Sequence, residues 1–316
     1  MSIKEHNTRS LIIVIVNYFT AQDCISLIED ILGESIPELQ KIICVDNSCN
    51  EAELLLLKSI NHEKLTLKVN NKNLGFGAAI NKAVKGETFD SLLFINPDVK
   101  LAEHAIQHVL NAQNQKGMDG IWGGLTVDES GAPDFFHAWR FPSLLREFAW
   151  LTGLASIAKF PLLVNHYAFE EISSNYPVDI VSGCFFLISG DAWRELGGFD
   201  ERFFLYSEEV DLCLRAKQNN IRSEVVVNAK LIHARGVSSN NESARLKWTF
   251  SSKLVFWKKH GGELKAKCMR VLYCLGSFTR SVAYQLLPNK KHLAKPWLEL
   301  TCFLLKGSAN KSEVKR

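Results

Sequence analysis

Glu208, Glu209 and Asp211 crowd three carboxylates into the string FLYSEEVDLCLRA. Like charges this close raise the pKa of one member, so the segment could take up a proton near neutral pH. Asp211 and Arg215 are i,i+4 neighbours, and an ion pair on one helix face is their default role. Asp98 ends an apolar run in LLFINPDVKLA. Such an Asp either caps the following helix or offers a hard oxygen ligand to a divalent cation. Asn17 and Asp46 also follow apolar runs directly, in LIIVIVNY and KIICVDNS. A carboxylate there can accept the imide N–H of a pyrimidine base; turn capping is the alternative at both places. NKNLGFGAAINKA is a Gly-rich lead into a helix, where small residues let a ligand or another backbone come close. No Lys-Ser/Thr follows it and GxGxxG is absent, so it is neither a phosphate loop nor a dinucleotide fingerprint.

These groups need a frame that gathers strand ends. LIIVIV (11–16), KIICV (41–45), LTLKV (65–69) and LLFI (92–95) read as strands, and residues 21–32, 52–60, 75–85 and 102–115 as helices. Strands alternating with helices predict an α/β fold with a mostly parallel central sheet. Ligands in open α/β sheets bind beyond the carboxyl ends of the strands, where Asn17, Asp46 and Asp98 fall. Residues 123–176 are less regular, with DESG as a hairpin tip. IVSGCFFLIS (180–189) reads as one strand, DAWRELGG as a short helix stopped by glycine, and SEEVDLCLRAKQNN as a helix. SEVVVN reads as a strand from which LIHARG leads out of the core.

The 316 residues are 47% apolar, enough for a large core. Eight cysteines without a CxxC pair suggest neither a zinc cluster nor a disulfide framework, and fit a reducing compartment. LIIVIV is too short for a signal-peptide core, and no run reaches the length of a membrane span. The net charge of +3 conceals an asymmetry: residues 241–316 hold 16 Lys/Arg against 4 Asp/Glu, and residues 1–240 hold 21 against 30. The basic tail is interleaved with Leu, Phe, Trp and Tyr, which suits an anionic membrane surface better than nucleic acid; a helical cap with a solvated basic face is the alternative.

The order of IVIVNY, VDNS, NNKNLGFGAAINKA, FINPDV, RFPSLLRE, VSGCFFLI, GGFDERFFLYSEEVDLCLRA and IHARG resembles the family 2 glycosyltransferases, in their rhamnosyltransferase-like branch. The matching pieces run from about residue 11 to 236, and the GGFDERFF…CLR string is the most specific. The resemblance implies a GT-A fold over residues 1–240, and the charge and apolar pattern of 241–316 reads as a basic amphipathic helical region at a membrane surface or on the acceptor side. It implies a nucleotide-diphosphate sugar donor, dTDP- or UDP-linked, and Mg²⁺ or Mn²⁺. Asn17, Tyr18, Asp46, Asn47, Asn73, Gly75, Asn81 and Asn96 match positions around the nucleotide. Asp98 matches the last residue of a DxD-type metal motif whose first position is Asn96 here, and His233 matches a position that completes the cation's shell or meets a phosphate. Arg140 and Arg235 are expected near the phosphates, as is His137. Glu209 matches the base position, usually Asp in the family, with Glu208 and Asp211 as the further catalytic candidates beside it; Glu208 is expected to orient neighbours. Gly183, Asp179 and Asp200 are expected on the sugar and acceptor face, and Trp139, Phe148 and Trp150 stack on a sugar ring or pack in a core.

The function implied is inverting, metal-dependent transfer of a sugar, rhamnose from dTDP-rhamnose being the preferred donor, onto a saccharide or lipid-linked glycan in surface polysaccharide biosynthesis. The expected place is the cytoplasm, at the inner face of the cell membrane, without nucleic acid; a homo-oligomer is compatible with the chain. A nucleotidyltransferase is the first alternative, though IVIVNYFTAQD lacks the Gly-rich loop with a nearby Lys or Arg. A nucleotide- or glycan-binding subunit without catalysis is the second.

Overall fold

The run LIIVIV forms a strand because both of its faces are covered. Leu11, Ile13 and Ile15 pack against one layer of helices, and Ile12, Val14 and Val16 against the other. This two-sided burial is what a continuous apolar strand requires. In the computed structural model, residues 9–116, 119–134, 136–156, 162–167, 174–233 and 241–307 are described.

The strands are β1 (Leu11–Asn17), β2 (Leu39–Asp46), β3 (Leu65–Val69), β4 (Ser91–Ile95), β5 (Val99–Leu101), β6 (Gly120–Thr126), β7 (Ala138–Trp139), β8 (Tyr176–Val178), β9 (Ile180–Val181), β10 (Phe185–Ser189) and β11 (Arg222–His233). The α-helices are α1 (Ala21–Gly33), α2 (Glu51–Leu57), α3 (Phe76–Val84), α4 (Ala105–Lys116), α5 (Leu144–Thr152), α6 (Gly190–Leu196), α7 (Glu208–Gln218), α8 (Glu242–Leu286) and α9 (Lys291–Leu305). The main sheet runs β3-β2-β1-β4-β10-β6-β11-β5, with β8 also on β11. β3, β2, β1 and β4 are parallel neighbours, as are β6 and β11; β10, β5 and β8 run antiparallel to theirs. Helices α1 and α4 cover one face, and α3, α6 and α7 the other.

Four local expectations change. Residues 180–189 form two strands, β9 and β10, broken at Ser182–Cys184. β9 pairs with β7 in a separate two-stranded sheet, while β10 joins β4 and β6. Residues 99–101 are a strand, so α4 begins at Ala105. β11 continues through Leu231 to His233 because β5 pairs with its end, rather than leaving the core at LIHARG. Gly120–Thr126 is a fully buried strand, although its Gly123-Gly124 pair resembles a turn signal.

The C-terminal helices build a third core. Helix α8 is interrupted at Gly262, and α9 packs on it. Phe250, Trp257, Met269, Tyr273 and Leu300 are buried together with Leu151 of α5 and Phe203. The boundary near residue 240 therefore does not separate cores: α5 and the Phe203 loop belong to the helical cluster.

Candidate active site

Parallel register sets Asn17 beside Asp46 at the carboxyl edge of the sheet. Asn17 Nδ2 donates to Asp46 Oδ1 at 3.0 Å, and the Asn17 amide oxygen accepts from Thr20 N at 2.9 Å. Asp46 Oδ1 also accepts from Ser48 N and Ser48 Oγ, at 3.0 and 2.6 Å. Both residues are buried, and Asp46 Oδ1 carries three of these local bonds. Beside them Asn47 Nδ2 donates to Asn73 Oδ1 at 2.8 Å, and Asn47 Oδ1 accepts from Leu74 N at 3.0 Å. This amide network ties β2 to the turn before α3.

Gly75 closes that turn with φ 84, and a Cβ on it would overlap the carbonyl oxygen of Phe204. The same oxygen accepts from Phe76 N at 3.0 Å. Glycine is required here because another backbone strand crosses it. From the other side Ser252 Oγ donates to Leu205 O at 2.7 Å. Thus α3 and α8 pin the segment that introduces α7. Within it Tyr206 and Ser207 both hold left-handed backbone, φ 68 and 65, a conformation that costs non-glycine residues about 1–3 kcal/mol each and gathers at functional sites.

These elements enclose a cavity of about 330 Å³. Tyr18, Asn47, Asn73 and Gly75 line one part of it; Asn96, Asp98, Gly183 and His233 line another. Glu208 and Glu209 line it from the start of α7, and Trp139 from β7. Pairing of Val99 with His233 brings Asp98 and His233 together, Nε2 to Oδ1 at 3.2 Å. Among the described residues no group of three His, Cys, Asp or Glu side chains is arranged to hold a metal ion. The Asp98–His233 pair is nevertheless chemically suited to a hard cation whose remaining ligands come from a diphosphate and water.

Burial, then the charge of Glu209, pushes the Glu208 carboxyl well above the usual range. Burial pushes Glu209 up to about 7. Glu208 Oε2 is buried without a hydrogen-bond partner. Burial and mutual repulsion thus favour proton uptake by the pair, and Glu209 is poised to exchange a proton near neutral pH. Cys184 also lines the cavity, but burial lifts its thiol to about 12, which makes it inert.

Several expected residues lie elsewhere. Asn17 and Asp46 form a bonded scaffold that does not line the cavity. Asn81 bridges α3 to the Phe199 backbone, donating to its O at 2.8 Å and accepting from its N at 3.0 Å. Arg140 stacks over Tyr167, 4.3 Å from the ring centre. His137 is buried, meets Tyr176 Oη at 2.7 Å, and is lowered by burial to about 4. Asp211 is fully buried and holds Arg215 at 2.8 Å, Lys259 at 2.6 Å and His260 at 2.8 Å, so it is a structural hub rather than a group in the cavity. Asp200 is committed to Arg202 and Lys259, and Asp179 to Lys217. Trp150 packs with Phe250 and Trp297. Arg235 lies outside the described residues.

Arg245 and Trp248 of α8 line the cavity and were not singled out by sequence. Their signal, RLKW in a basic-aromatic tail, matches a membrane-facing helix equally well. Phe204 and Tyr206 also line it, from within the GGFDERFFLYSEEVDLCLRA string, although neither stands out there as a site residue.

A mostly parallel sheet with this cavity at its carboxyl edge defines a GT-A fold. Solved structures share it: a mannosyltransferase from Pyrobaculum calidifontis in complex with GDP-Man and Mn²⁺ (TM-score 0.56, 11% identity, 97% of this chain and 89% of that one), and GalNAc-T7 with UDP, GalNAc and Mn²⁺ (TM-score 0.54, 14% identity, 96% and 57%). Residues 10–196 match the model of glycosyl transferase family 2, more than half of the chain, and the chain belongs to that family. It is similar to the N-acetylglucosaminyl-diphospho-decaprenol L-rhamnosyltransferase of Mycobacterium tuberculosis, 29% identical over 183 residues that cover 54% of this chain and 59% of the relative. It is also similar to rhamnosyltransferase WbbL of Escherichia coli K12, 28% identical over 231 residues, 70% of this chain and 82% of the relative. The alignment thus spans less than two thirds of the mycobacterial protein.

Proposed function

We propose that this protein is an inverting glycosyltransferase that moves a sugar from a nucleoside-diphosphate donor to a hydroxyl of a saccharide acceptor. The observation that carries the reading is that one cavity is lined both by a hard-ligand pair, Asp98 and His233, and by a carboxylate titrating near 7, Glu209. Tyr18, Asn47 and Asn73 sit where a nucleoside enters the strand ends, over the Asn17–Asp46 scaffold. Asp98 and His233 would hold Mg²⁺ or Mn²⁺. When bound, such an ion offsets the charge that develops on the leaving diphosphate. Arg245 contributes a further positive charge to the cavity wall. Glu209 takes the proton of the acceptor hydroxyl. The acceptor oxygen bonds to the anomeric carbon as that carbon's bond to the phosphate oxygen breaks, and the nucleoside diphosphate leaves with the electron pair. Glu208, beside it at the start of α7, positions Glu209 and helps to raise its affinity for the proton.

The relatives' names support rhamnose as the sugar, from a dTDP-linked donor with a UDP-linked one as the alternative, and a lipid-diphosphate-linked saccharide as acceptor. An acceptor of that kind calls for contact with the inner face of a membrane. Among the described residues no helix is long and apolar enough to cross one. The second limb of α8 supports a surface contact instead. Its inner face is packed on α9 and α5, while Leu264, Val271, Leu275, Phe278, Val282 and Leu286 form an outward stripe, each 47–78% exposed. Their three- and four-residue spacing keeps them on one face for about 33 Å. Residues 264–298 contain seven Lys/Arg and no Asp/Glu, and of the seven Arg280 turns inward to the carbonyls of Trp150 and Leu151. That charge complements an anionic bilayer and would repel a second copy of the same face.

The test is a thermal-shift panel of dTDP-, UDP- and GDP-sugars with and without Mn²⁺, followed by single-turnover transfer to a prenyl-diphosphate-linked saccharide. A dTDP-sugar should raise the melting temperature only with the cation present. A panel in which no nucleotide sugar stabilises the protein would remove the donor reading.

A further inference from the structure

A second cavity, about 600 Å³ in volume, lies behind Phe204, Leu205 and Trp248, which line both cavities. Its far wall is the bend in α8. Gly262 has φ 80 and ψ 174, backbone essentially reserved to glycine, and it divides the helix into two limbs. Trp257 of the first limb donates to Tyr273 Oη of the second at 2.8 Å, which fixes the bend. Residues from both limbs line the space between them.

The lining is divided in character. Leu254, Val255, Ala266 and Val271 make an apolar wall. Four cations meet two carboxylates on the rest. Of these, Arg202 is neutralised by Asp200, and Lys258 pairs with Glu263 at 2.8 Å. Lys267, exposed, and Arg270, partly buried, stand one turn apart on the second limb; both charges help to lower the Glu263 carboxyl, but neither makes a close ion pair among the described residues. Ser251 Oγ, on a further lining residue, is buried without a hydrogen-bond partner. Two cations without a close carboxylate, and one buried hydroxyl without a partner, beside an apolar wall suit an anion that carries a hydrocarbon chain.

We infer that this cavity binds the diphosphate and the first prenyl units of a lipid-linked acceptor, with Lys267 and Arg270 on the phosphates. The inference rests on the acceptor class proposed above and adds the site that would hold it. The topology suits such a ligand at each end. Past Phe204 and Trp248 lies the cavity of Glu209, where the acceptor sugar must present its hydroxyl. At the other end Val271 belongs both to the cavity and to the outward stripe of α8, so the chain would run from the cavity along that stripe to the bilayer. A cavity of this volume is within the usual range for an organic ligand.

Titration calorimetry on the full-length protein tests this, in EDTA so that no cation draws a diphosphate into the first cavity. The probes are farnesyl diphosphate, inorganic pyrophosphate, farnesol, and phosphatidylglycerol vesicles. Farnesyl diphosphate should bind more tightly than either pyrophosphate or farnesol, and Lys267→Gln/Arg270→Gln should weaken it by about tenfold or more, the scale of one lost charge-assisted contact. The same variant should keep its affinity for dTDP with Mn²⁺ within about twofold. Equal binding of pyrophosphate and farnesyl diphosphate would reduce the site to a general anion site and overturn the lipid assignment. An unchanged affinity in the double variant would overturn it as well, and so would vesicle binding that accounts for the whole farnesyl diphosphate signal. The dTDP arm reports on the donor cavity alone, so failure there with intact farnesyl diphosphate binding would fault the donor reading and leave this site standing.

Discussion

In the sheet region polar side chains at the strand ends are buried and bonded to one another, whereas the second limb of α8 in the helical region turns large apolar side chains outward. Asn17, Asp46 and Ser48 are bonded to one another, and Asn47 to Asn73 beside them. Such a scaffold fixes a cavity before any ligand arrives. Helix α8 instead presents Leu275, Phe278 and Leu286 to the outside. The opposite charge balances of the two regions meet at their seam, where Lys253 pairs with Glu147 at 2.8 Å and Lys259 with Asp200 and Asp211 at 2.7 and 2.6 Å. The comparison teaches that the basic region is not an appendage. Part of its charge anchors it over the cavity, and part remains for partners.

The largest effect should come from the sheet region's chemistry. Glu209→Gln keeps size and loses basicity, so single-turnover transfer should fall by about 10²–10⁴-fold while donor affinity stays nearly constant. In the wild type the rate should rise with pH through about 7, as Glu209 loses its proton. The stability sign is opposite. A carboxyl raised by burial adds protons to the native state between its ordinary value of 4.5 and about 7, so the wild type should lose stability across that window relative to Glu209→Gln. A near-normal rate in Glu209→Gln would return the protein to a binding subunit or move the base elsewhere.

Asp211→Ala tests the seam. Removing one partner of a buried ion cluster typically costs about 3–5 kcal/mol, and urea denaturation should register a loss on that scale. A stable variant that is inactive would instead make Asp211 part of the chemistry. Asp98→Ala should cut cation-dependent donor binding by about tenfold or more in calorimetry, with the fold retained. Equal affinity for donor and Mn²⁺ would dissociate the Asp98–His233 pair from any metal role.

The smallest effect on stability should come from the outward stripe. Leu275→Gln/Phe278→Gln replaces exposed side chains and should change the unfolding free energy by no more than about 0.5 kcal/mol per site. Co-sedimentation with phosphatidylglycerol vesicles should fall markedly. Strong destabilisation would mean that the stripe is covered within the protein, and the contrast between the two regions would fail.

By itself the sequence determined the local pattern. Apolar runs ending in Asn17, Asp46 and Asp98 mark strands with polar tips, and the spacing in SEEVDLCLRA marks a helix that begins with two carboxylates, because periodicity and capping depend on near neighbours in the chain. Tertiary structure decided which tips face a cavity. Asn17 and Asp46 turn to each other, since parallel register sets them abreast and the Asn17 amide donates to the Asp46 carboxylate. Asp98 meets His233 only because the short strand β5 pairs with the end of β11, a contact between distant segments that no local pattern encodes. Arg245 and Trp248 reach the cavity only because α8 folds back over the Phe204–Tyr206 loop. An amphipathic sequence states that a helix has an apolar face, but which surface that face meets depends on the packing of the whole chain.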